Sequence, residues 1–331
     1  MRLSVSLCLA LLCSPCVAAC GASGTQSAAD GGALSDGGAP SDGGAGACGN
    51  YAPPELVATL EAPGLGEGSG LAASARAPGV LFAHNDSGNA AEVFALRADG
   101  RLAAKWTVAG AQNVDWEDLA RGPCSAGATT SCLYLGDIGD NAARRSEGVQ
   151  IYVVAEPDVA RPASQPLPLV RTLWLRYPDG PRDCESLLVH PTTADLYLVE
   201  KRPRTDGLAG RAVYKAAADT TGTQAAPAVL QRLSFLDVPP DSDGLFTAGD
   251  VHPGGRRVAL RTYTAIVEYR LPEGRPFDEI FAQVPVRLPR AEGSGGMELQ
   301  GESLAYAADG RALYTSSEGS NPPLNRWECV D

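Results

Sequence analysis

One short pattern occurs in four spaced copies along this 331-residue chain, and a fainter copy precedes them. In four of the five copies, small, polar or acidic residues run into an apolar pair, and in every copy a second apolar run follows after a turn. The copies are GSGLAAS at 68–74, DWEDLA at 115–120, DCESLL at 183–188, FTAGDVHP at 246–253 and QGESLA at 300–305. Units of several short strands at periods of about 40–50 residues are typical of propeller blades. The sequence therefore predicts an all-β fold, a five-bladed β-propeller.

The last repeat contains only three predicted strands, which leaves one edge of its sheet without a partner. A closed ring removes such an edge, and the apolar run ELVATLEA at 55–62 belongs to no repeat. We expect this N-terminal strand to close the last blade, with a disulfide between Cys48 and Cys329 joining the two ends. A six-bladed ring is the alternative, with the extra blade within residues 228–244, between two clear copies.

The first twenty residues have the features of an export signal. Arg2 precedes an apolar stretch over residues 3–19, and small residues lead to Cys20. The sequence VAAC resembles the lipobox of bacterial lipoproteins, which implies a signal peptide over 1–19 and a lipidated Cys20. Secretion without a lipid is the alternative. Residues 20–49 are rich in Gly, Ala, Ser and Asp, a composition typical of a flexible tether. The propeller is then expected over 50–331, anchored at the cell envelope and facing the periplasm or the exterior.

The remaining cysteines are consistent with a compartment in which disulfides persist. Cys124 and Cys132 flank a short loop between two predicted strands, so we expect a disulfide across that hairpin. Cys184 lies within DCESLL and has no neighbouring metal ligands of the same softness. We therefore interpret Cys184 as a small buried residue.

The charge balance argues against nucleic acid as a partner. The formal net charge is −12, and the chain has only three lysines. A protein that binds a phosphate backbone needs a basic stripe. We expect a monomer that contacts the membrane only through its lipid and binds a small-molecule, glycan or protein ligand at the propeller rim.

Acidic side chains recur at one position of the repeat. When the apolar pairs are aligned, one column contains Ser69, Glu117, Glu185, Gly249 and Glu302. Innermost strands line the channel of a propeller, and alternate side chains point into it. Like charges held close together need a proton or a cation to neutralise them. Calcium, which binds oxygen ligands in irregular geometry, is the predicted cofactor.

Blade four has no side chain at this position, so we expect Thr247 to supply its hydroxyl, with Asp250 as the acidic alternative if the register slips by one residue. The predicted metal ligands are Ser69, Glu117, Glu185, Thr247 and Glu302. The competing interpretation is structural: the glutamates pair with buried amides or arginines and hold no ion.

A second group of polar residues is predicted at the rim of the channel, near the ends of the second strands. It comprises His84, Asp86, Asp137, Asp140, Glu200 and Arg261, with Glu318 as a further acidic member. If these residues are functional, they flank a ligand above the metal. The segments DSGN at 86–89 and DIGD at 137–140 are also good turn sequences, so a structural role is the alternative.

The succession of Ser, Glu, Glu, hydroxyl and Glu on five inner strands resembles the soluble calcium-activated nucleotidases, which are five-bladed propellers with a central calcium. The resemblance implies that Ser69, Glu117, Glu185, Thr247 and Glu302 hold calcium and that the protein hydrolyses nucleotides. In a calcium-dependent hydrolase of nucleotides or other phosphate esters, the channel calcium would activate water, with Glu117 or Asp118 as the predicted general base. The chain is also similar to uncharacterised secreted bacterial propellers and to the esterase-like group related to phytases, which favours six blades. The other function class is a binding module in which the metal pins the hub of the ring. The fold alone does not decide between them.

Overall fold

The computed structural model describes residues 48–161, 164–202, 210–289 and 298–330. Every described residue belongs to one compact unit, Ala45–Asp331. The predicted signal peptide, the lipidated Cys20 and nearly all of the predicted tether lie outside the described residues. Among the residues that are described, no helix is long and apolar enough to cross a membrane.

The fold consists of five small antiparallel sheets, formed in chain order, and a single short 3-10 helix at Phe277–Ala282 is the one helix in the described part. Two short strands, β1 (Asn50–Tyr51) and β2 (Glu55–Thr59), precede the first repeat. Blade one comprises β3 (Gly68–Ala73), β4 (Val80–Asn85), β5 (Glu92–Arg97) and β6 (Leu102–Thr107). Blade two comprises β7 (Trp116–Pro123), β8 (Ser131–Asp137), β9 (Val149–Ala155) and β10 (Leu169–Arg176).

The remaining three blades repeat this arrangement. Blade three comprises β11 (Cys184–Val189), β12 (Leu196–Glu200), β13 (Arg211–Ala216) and β15 (Gln231–Leu236), with β14 (Ala228–Val229) between the last two in sequence. Blade four comprises β16 (Phe246–Val251), β17 (Arg257–Thr262), β18 (Ile266–Arg270) and β19 (Val286–Arg287). Blade five comprises β20 (Gly301–Tyr306), β21 (Ala312–Ser317) and β22 (Pro323–Val330). The predicted five-bladed propeller is confirmed.

The N-terminal strands close the ring. Both β1 and β2 pair antiparallel with β22, the last strand of the chain. Cys48 and Cys329 form a disulfide beside this pairing, and Cys124 and Cys132 form the predicted hairpin disulfide between β7 and β8. The closure and both disulfides are therefore as predicted. Cys184 is a free, buried cysteine, as expected.

The six-bladed alternative is wrong because its residues complete blades that are already present. The segment after residue 227 forms β14, which pairs in parallel with β10 of blade two, and then β15, which is the outer strand of blade three. A segment that extends two existing sheets leaves no separate sheet for a sixth blade.

Five clusters of buried apolar side chains lie between neighbouring blades and form the core. The leucines of the repeat, Leu71, Leu119, Leu187 and Leu304, belong to these clusters and are at most 1% exposed. Burying one leucine contributes about 1.5–3 kcal/mol. This explains why the apolar position of the pattern recurs in the chain: it packs each sheet against the next one.

The first strand of every blade carries one β-bulge near its start. These strands, β3, β7, β11, β16 and β20, contact one another around the channel. The unpaired residues are Gly70, Glu117, Glu185, Thr247 and Glu302. A bulge turns a side chain away from its ordinary direction. The fold therefore gives the same special backbone position to three glutamates and one threonine.

Blade four differs from the alignment made on the sequence. Its bulge lies at Thr247, so Thr247 shares the position of the glutamates, and Gly249 corresponds to the leucines Leu119, Leu187 and Leu304. Placing Gly249 in the glutamate column was wrong, because blade four has no leucine after its bulge to mark the register. In blade one the bulge lies at Gly70, and its neighbour Ser69 pairs with His84.

Candidate metal centre at the channel mouth

Carboxylates converge where the inner strands begin and the second strands end, a region that we call the channel mouth. Two groups of three have oxygen atoms that all lie within 4.8 Å of one another. The first group, the open triad, is Asp86, Asp115 and Glu117. The second group, the paired triad, is Glu117, Asp183 and Glu185. Glu117 belongs to both groups and is the centre of the cluster.

The D-x-E sequence at the start of β7 and of β11 produces this convergence. Asp115 and Glu117 are two residues apart, as are Asp183 and Glu185, a spacing that places side chains on one side of a strand. The bulges at Glu117 and Glu185 then direct the glutamates towards each other. The flanking aspartates therefore belong to the site, together with the glutamates.

Glu117 is the most unusual of these groups. Its side chain is buried, with the residue 3% exposed, and among the described residues it has neither a hydrogen bond nor an ion pair. Burial raises the pKa of Glu117 well above its usual range, and the neighbouring charges of Glu185, Asp86 and Asp115 raise it further. An unpartnered carboxylate at this depth takes up a proton or a cation.

The other two members of the open triad, Asp86 and Asp115, also have raised pKa values. Burial raises the pKa of Asp115 to about 6, with a further contribution from Asp86. Burial also raises the pKa of Asp86, whose own turn amide at Ser87 donates to Oδ1. Within the described ranges, no lysine or arginine forms an ion pair with the open triad.

A glycine makes room for the open triad. A Cβ atom built at Gly139 would overlap Oε1 of Glu117 and would lie 2.7 Å from Oδ2 of Asp115. The amide of Gly139 also donates to the carbonyl of Asp115 over 3.1 Å. The turn DIGD therefore has a reason beyond good turn chemistry: its glycine allows two carboxylates to lie against the backbone.

The paired triad has its own cations. Nζ of Lys201 lies 2.5 Å from Oε1 of Glu185 and donates to the hydroxyl of Tyr263 over 2.9 Å. Arg202 donates from Nε to Oδ2 of Asp183 over 2.7 Å. Burial lowers the pKa of Lys201, but Glu185 and Tyr263 outweigh it and raise the pKa above its ordinary value. Lys201 is therefore a charged ammonium group inside the mouth.

Hydrogen bonds continue from Lys201 into blade five. Tyr263 donates to Oε1 of Glu302 over 2.6 Å. Burial and the neighbouring carboxylate of Glu302 raise the pKa of Glu318 to about 8, and Gln300 donates to Oε2 of Glu318 over 2.9 Å. The side of the mouth formed by blades three to five thus satisfies its own carboxylates.

Of the five predicted metal ligands, the structure brings Glu117 and Glu185 together and engages the other three elsewhere. The hydroxyl of Ser69 donates to the carbonyl of Glu117 over 2.5 Å, and that of Thr247 donates to the carbonyl of Gly301 over 2.8 Å. Glu302 accepts the bond from Tyr263. Both hydroxyls form hydrogen bonds between neighbouring inner strands and so have structural roles.

Asp118 lies deeper in the ring and is fully buried. Its Oδ2 accepts bonds from the amides of Leu187 and Gly249, and its Oδ1 accepts one from Leu119. Burial raises the pKa of Asp118 well above its usual range, although these three bonds lower it. The structure gives Asp118 a role in joining three blades, and its assignment as a general base stays a prediction.

Asp250 lies on an inner strand of the same ring and joins the next pair of blades. Its Oδ2 accepts a bond from the amide of Tyr306 over 2.8 Å, and burial raises its pKa to about 7. Asp118 and Asp250 thus replace part of the strand pairing that the inner strands lack between blades.

The residues predicted for the rim do not form one ring. Asp86 is the first residue after β4, whereas Asp137 and Glu200 are the last residues of β8 and β12, and both are buried. Asp137 binds Arg145 and Gln150, and Glu200 accepts a bond from the amide of Ala212. Only Asp86 of this group joins the open triad.

Three other rim candidates are also held inside the fold. Asp140 accepts bonds from the amides of Arg144 and Arg145, and Arg261 donates to the carbonyls of Ser303 and Ser316. His84 is fully buried beside Trp116, and burial lowers its pKa to about 4. These contacts are structural, and a direct role in ligand binding stays a prediction.

Sequence reasoning missed Asp115, Asp183, Lys201 and Tyr263 as members of the site. The two aspartates had a signal, because the D-x-E spacing occurs twice. Lys201 and Tyr263 had none within the repeat pattern. Both are the first residue after a second strand, a position occupied by Asp86, Ile138 and Glu318 in the other blades.

A groove of about 790 Å³ opens beside the mouth. Its wall is the segment 60–67, which links β2 to blade one, together with Asn89, Ser320 and Asn321. Asn89 donates to Oε2 of Glu67 over 2.6 Å and to the carbonyl of Asp86 over 3.2 Å. Asn89 therefore connects the groove wall to the backbone of Asp86, a member of the open triad.

Fold and site together define a five-bladed β-propeller with an acidic, partly uncompensated channel mouth. No protein-family model matches the sequence, and no curated protein matches it. Many solved structures match, including a chain of the "Crystal Structure of Mitotic Checkpoint Complex", at 12% identity and a TM-score of 0.36. That alignment covers 79% of this chain and 61% of the other, so this chain spans less than two thirds of that neighbour.

Proposed function

We propose that the protein is a calcium-binding β-propeller that binds a ligand at its channel mouth. The open triad holds the calcium, and the protein is anchored by a lipid on Cys20 at the cell envelope, facing the periplasm or the exterior. One observation carries the proposal: Glu117 is 3% exposed, and its carboxylate has no hydrogen bond or ion pair among the described residues and lies close to Asp86 and Asp115. The two disulfides support an oxidising compartment.

The donor set supports calcium over other metals. Both triads consist of carboxylates alone, without His or Cys, so they suit a hard cation and not zinc. Bringing three carboxylates together without a counter-charge is unfavourable, and a divalent cation removes this repulsion. Because the blades fix these side chains in an irregular arrangement, the tolerant geometry of calcium fits better than the strict octahedron of magnesium.

The groove supports a ligand that carries no negative charge. Glu61 and Glu67 line it, together with amide and hydroxyl groups, and no described residue of its wall is a lysine or an arginine. A phosphate ester lying in this groove would meet two carboxylates without a cationic side chain to offset them. A neutral or cationic glycan or peptide is the ligand class that this wall supports.

One observation favours a catalytic alternative. The raised pKa of Glu117 beside a cation site suits the general base of a calcium-dependent hydrolase, the activity that the resemblance to the calcium-activated nucleotidases implies. Turnover of a panel of nucleotides and phosphate esters that depends on calcium and is lost in Glu117→Gln would establish this function. A panel without turnover would leave the ligand-binding function.

The test of the calcium site is thermal unfolding with and without calcium. At a calcium concentration 100 times the dissociation constant, binding stabilises the folded state by about 2.7 kcal/mol. This corresponds to a rise in Tm of about 5–10 °C for a domain of this size. We expect Glu117→Gln to abolish the rise, because it removes the carboxylate at the centre of the site.

Glu302→Gln is the matched control. Glu302 lies at the same bulge position in blade five but already accepts a hydrogen bond from Tyr263. We expect this variant to keep most of the calcium-dependent rise. A wild-type protein whose Tm is the same in calcium and in chelator would refute the calcium site.

A further inference from the structure

The two triads have the same geometry and different partners. In both triads the carboxylate oxygens lie within 4.8 Å of one another, the spacing of a metal site, and both include Glu117. In the paired triad, Glu185 forms an ion pair with Lys201 and Asp183 forms one with Arg202. The open triad has neither cation. The distances between carboxylate oxygens alone therefore predict two ion sites. Because Lys201 and Arg202 form ion pairs with the paired triad, the open triad remains as the candidate site.

Lys201 has the contacts that a bound cation would have. Its side chain is 6% exposed, and its Nζ contacts both oxygens of Glu185 and the hydroxyl of Tyr263. Nζ also lies 5.1 Å from the centre of the Tyr263 ring, within the range of a cation–π interaction. The ammonium group is thus surrounded by oxygen atoms and an aromatic face, and it is withdrawn from solvent.

Only one blade supplies such a cation. The first residues after the second strands are Asp86, Ile138, Lys201, Tyr263 and Glu318 in blades one to five. Lys201 is the one cation in that set, and it reaches Glu185 of its own blade. In the other four blades this position holds no cationic side chain, so Lys201 distinguishes blade three.

We propose that Lys201 is a tethered counter-cation that fills the paired triad, so that the channel mouth binds one divalent cation and selects the open triad as its site. The inference rests on the proposed calcium site and adds its stoichiometry and its location. Lys201 acts as a positioning residue, since it directs the ion to blades one and two without contacting the open triad. Its removal creates a second ion site at Glu117 and Glu185, beside Asp183, which keeps its ion pair with Arg202.

The test is the number of calcium ions bound per chain, measured by isothermal titration calorimetry. The wild-type protein should bind one ion. Lys201→Met, which keeps an unbranched side chain one atom shorter and removes the charge, should bind two. Lys215→Met is the matched control, because Lys215 also binds both oxygens of a carboxylate, that of Asp278, but lies on the third strand of its blade. This control should bind one ion.

Each outcome separates the inference from the calcium site on which it rests. One ion in both the wild type and Lys201→Met overturns the role of Lys201 and keeps the calcium site. No ion in the wild type and one in Lys201→Met overturns the open-triad site and keeps the role of Lys201. Two ions in the wild type also overturn the inference, because the paired triad would then bind calcium despite Lys201.

A second variant covers a failure of Lys201→Met to fold. The double variant Lys201→Met with Glu185→Gln removes both members of the ion pair and should bind one ion. If Lys201→Met folds only when calcium is present, the ion has replaced the ammonium group and the inference is supported. If it stays unfolded in calcium while the double variant folds, the ammonium group has no substitute and the inference is overturned.

Discussion

The two halves of the channel mouth have nearly the same acidic motif, but cationic side chains neutralise it in only one of them. Blade two carries Asp115 and Glu117, and blade three carries Asp183 and Glu185, each pair at the same bulge. In blade three, Lys201 and Arg202 bind the carboxylates. In blade two, the residue after the second strand is Ile138, which is buried in the core between blades. The comparison teaches that a repeated acidic motif does not define an ion site until its counter-charges are known.

The largest expected effect is on stability in the absence of calcium. Lys201→Met leaves Glu185 as a buried charge without its ammonium partner, and breaking a buried pair in this way costs about 3–5 kcal/mol. Asp115→Asn should be neutral or stabilising under the same conditions, because it relieves repulsion in the open triad. Urea unfolding in chelator measures both. Equal destabilisation by the two variants would erase the proposed difference between the halves.

The next largest effect is expected at Gly139, whose backbone lies against Glu117 and Asp115 of the open triad. In Gly139→Ala the new methyl group overlaps Glu117 and crowds Asp115. We expect a loss of about 1–3 kcal/mol and the loss of the calcium-dependent rise in Tm. Gly49→Ala is the control, because a Cβ there has no neighbour within 4 Å. A Gly139→Ala protein that responds to calcium like the wild type would show that the ion binds elsewhere.

A smaller effect concerns pH. The pKa of Asp115 is raised to about 6, so the calcium-free folded state binds protons more tightly than the unfolded chain does. This contribution to stability is present below pH 4 and is lost as the pH rises through 6. After allowance for the partial exposure of Asp115, the change is about 1 kcal/mol. Calcium displaces the proton, so the rise in Tm should be larger at pH 8 than at pH 5. Asp115→Asn should flatten this dependence.

The smallest expected effect is on the hydroxyl groups that join inner strands. Ser69→Ala removes the bond to the carbonyl of Glu117, and Thr247→Val removes the bond to the carbonyl of Gly301. Each should cost about 0.5–1.5 kcal/mol of unfolding free energy and leave calcium affinity unchanged. A tenfold loss of affinity in either variant, measured by calorimetry, would return the hydroxyls to the ligand set predicted from the sequence.

The architecture was predictable because short sequence patterns mark its strands and its closure. The repeated apolar pairs mark the inner strands, whose leucines fill the spaces between sheets. The orphan strand before the first repeat and the cysteines at 48 and 329 predicted the closure. Blade four was misaligned because Gly249 stands where blades two, three and five have leucine, which removed the one marker of register.

The site was only half predictable. Glu117 and Glu185 emerged from the repeat, but their partners depend on contacts between residues far apart in the chain, such as Lys201 with Tyr263. The bulges add a second difficulty. Strict alternation along a strand does not describe a side chain that a bulge turns aside, so the roles of Ser69, Thr247 and Asp118 required coordinates. Whether a carboxylate is neutralised depends on contacts that form in the folded ring, and the sequence of a single repeat does not show them.

The seam between β1, β2 and β22 also determines how the ring bears a mechanical load. Cys48 and Cys329 are joined across a separation of 281 residues, at the point where the strands from the two ends of the chain meet. A force applied to the chain before Cys48 passes directly into β22 through a covalent bond. The hydrogen bonds of β1 and β2 are then spared from being pulled apart one after another. The disulfide thus protects the paired strands from stepwise separation under force, in addition to closing the ring.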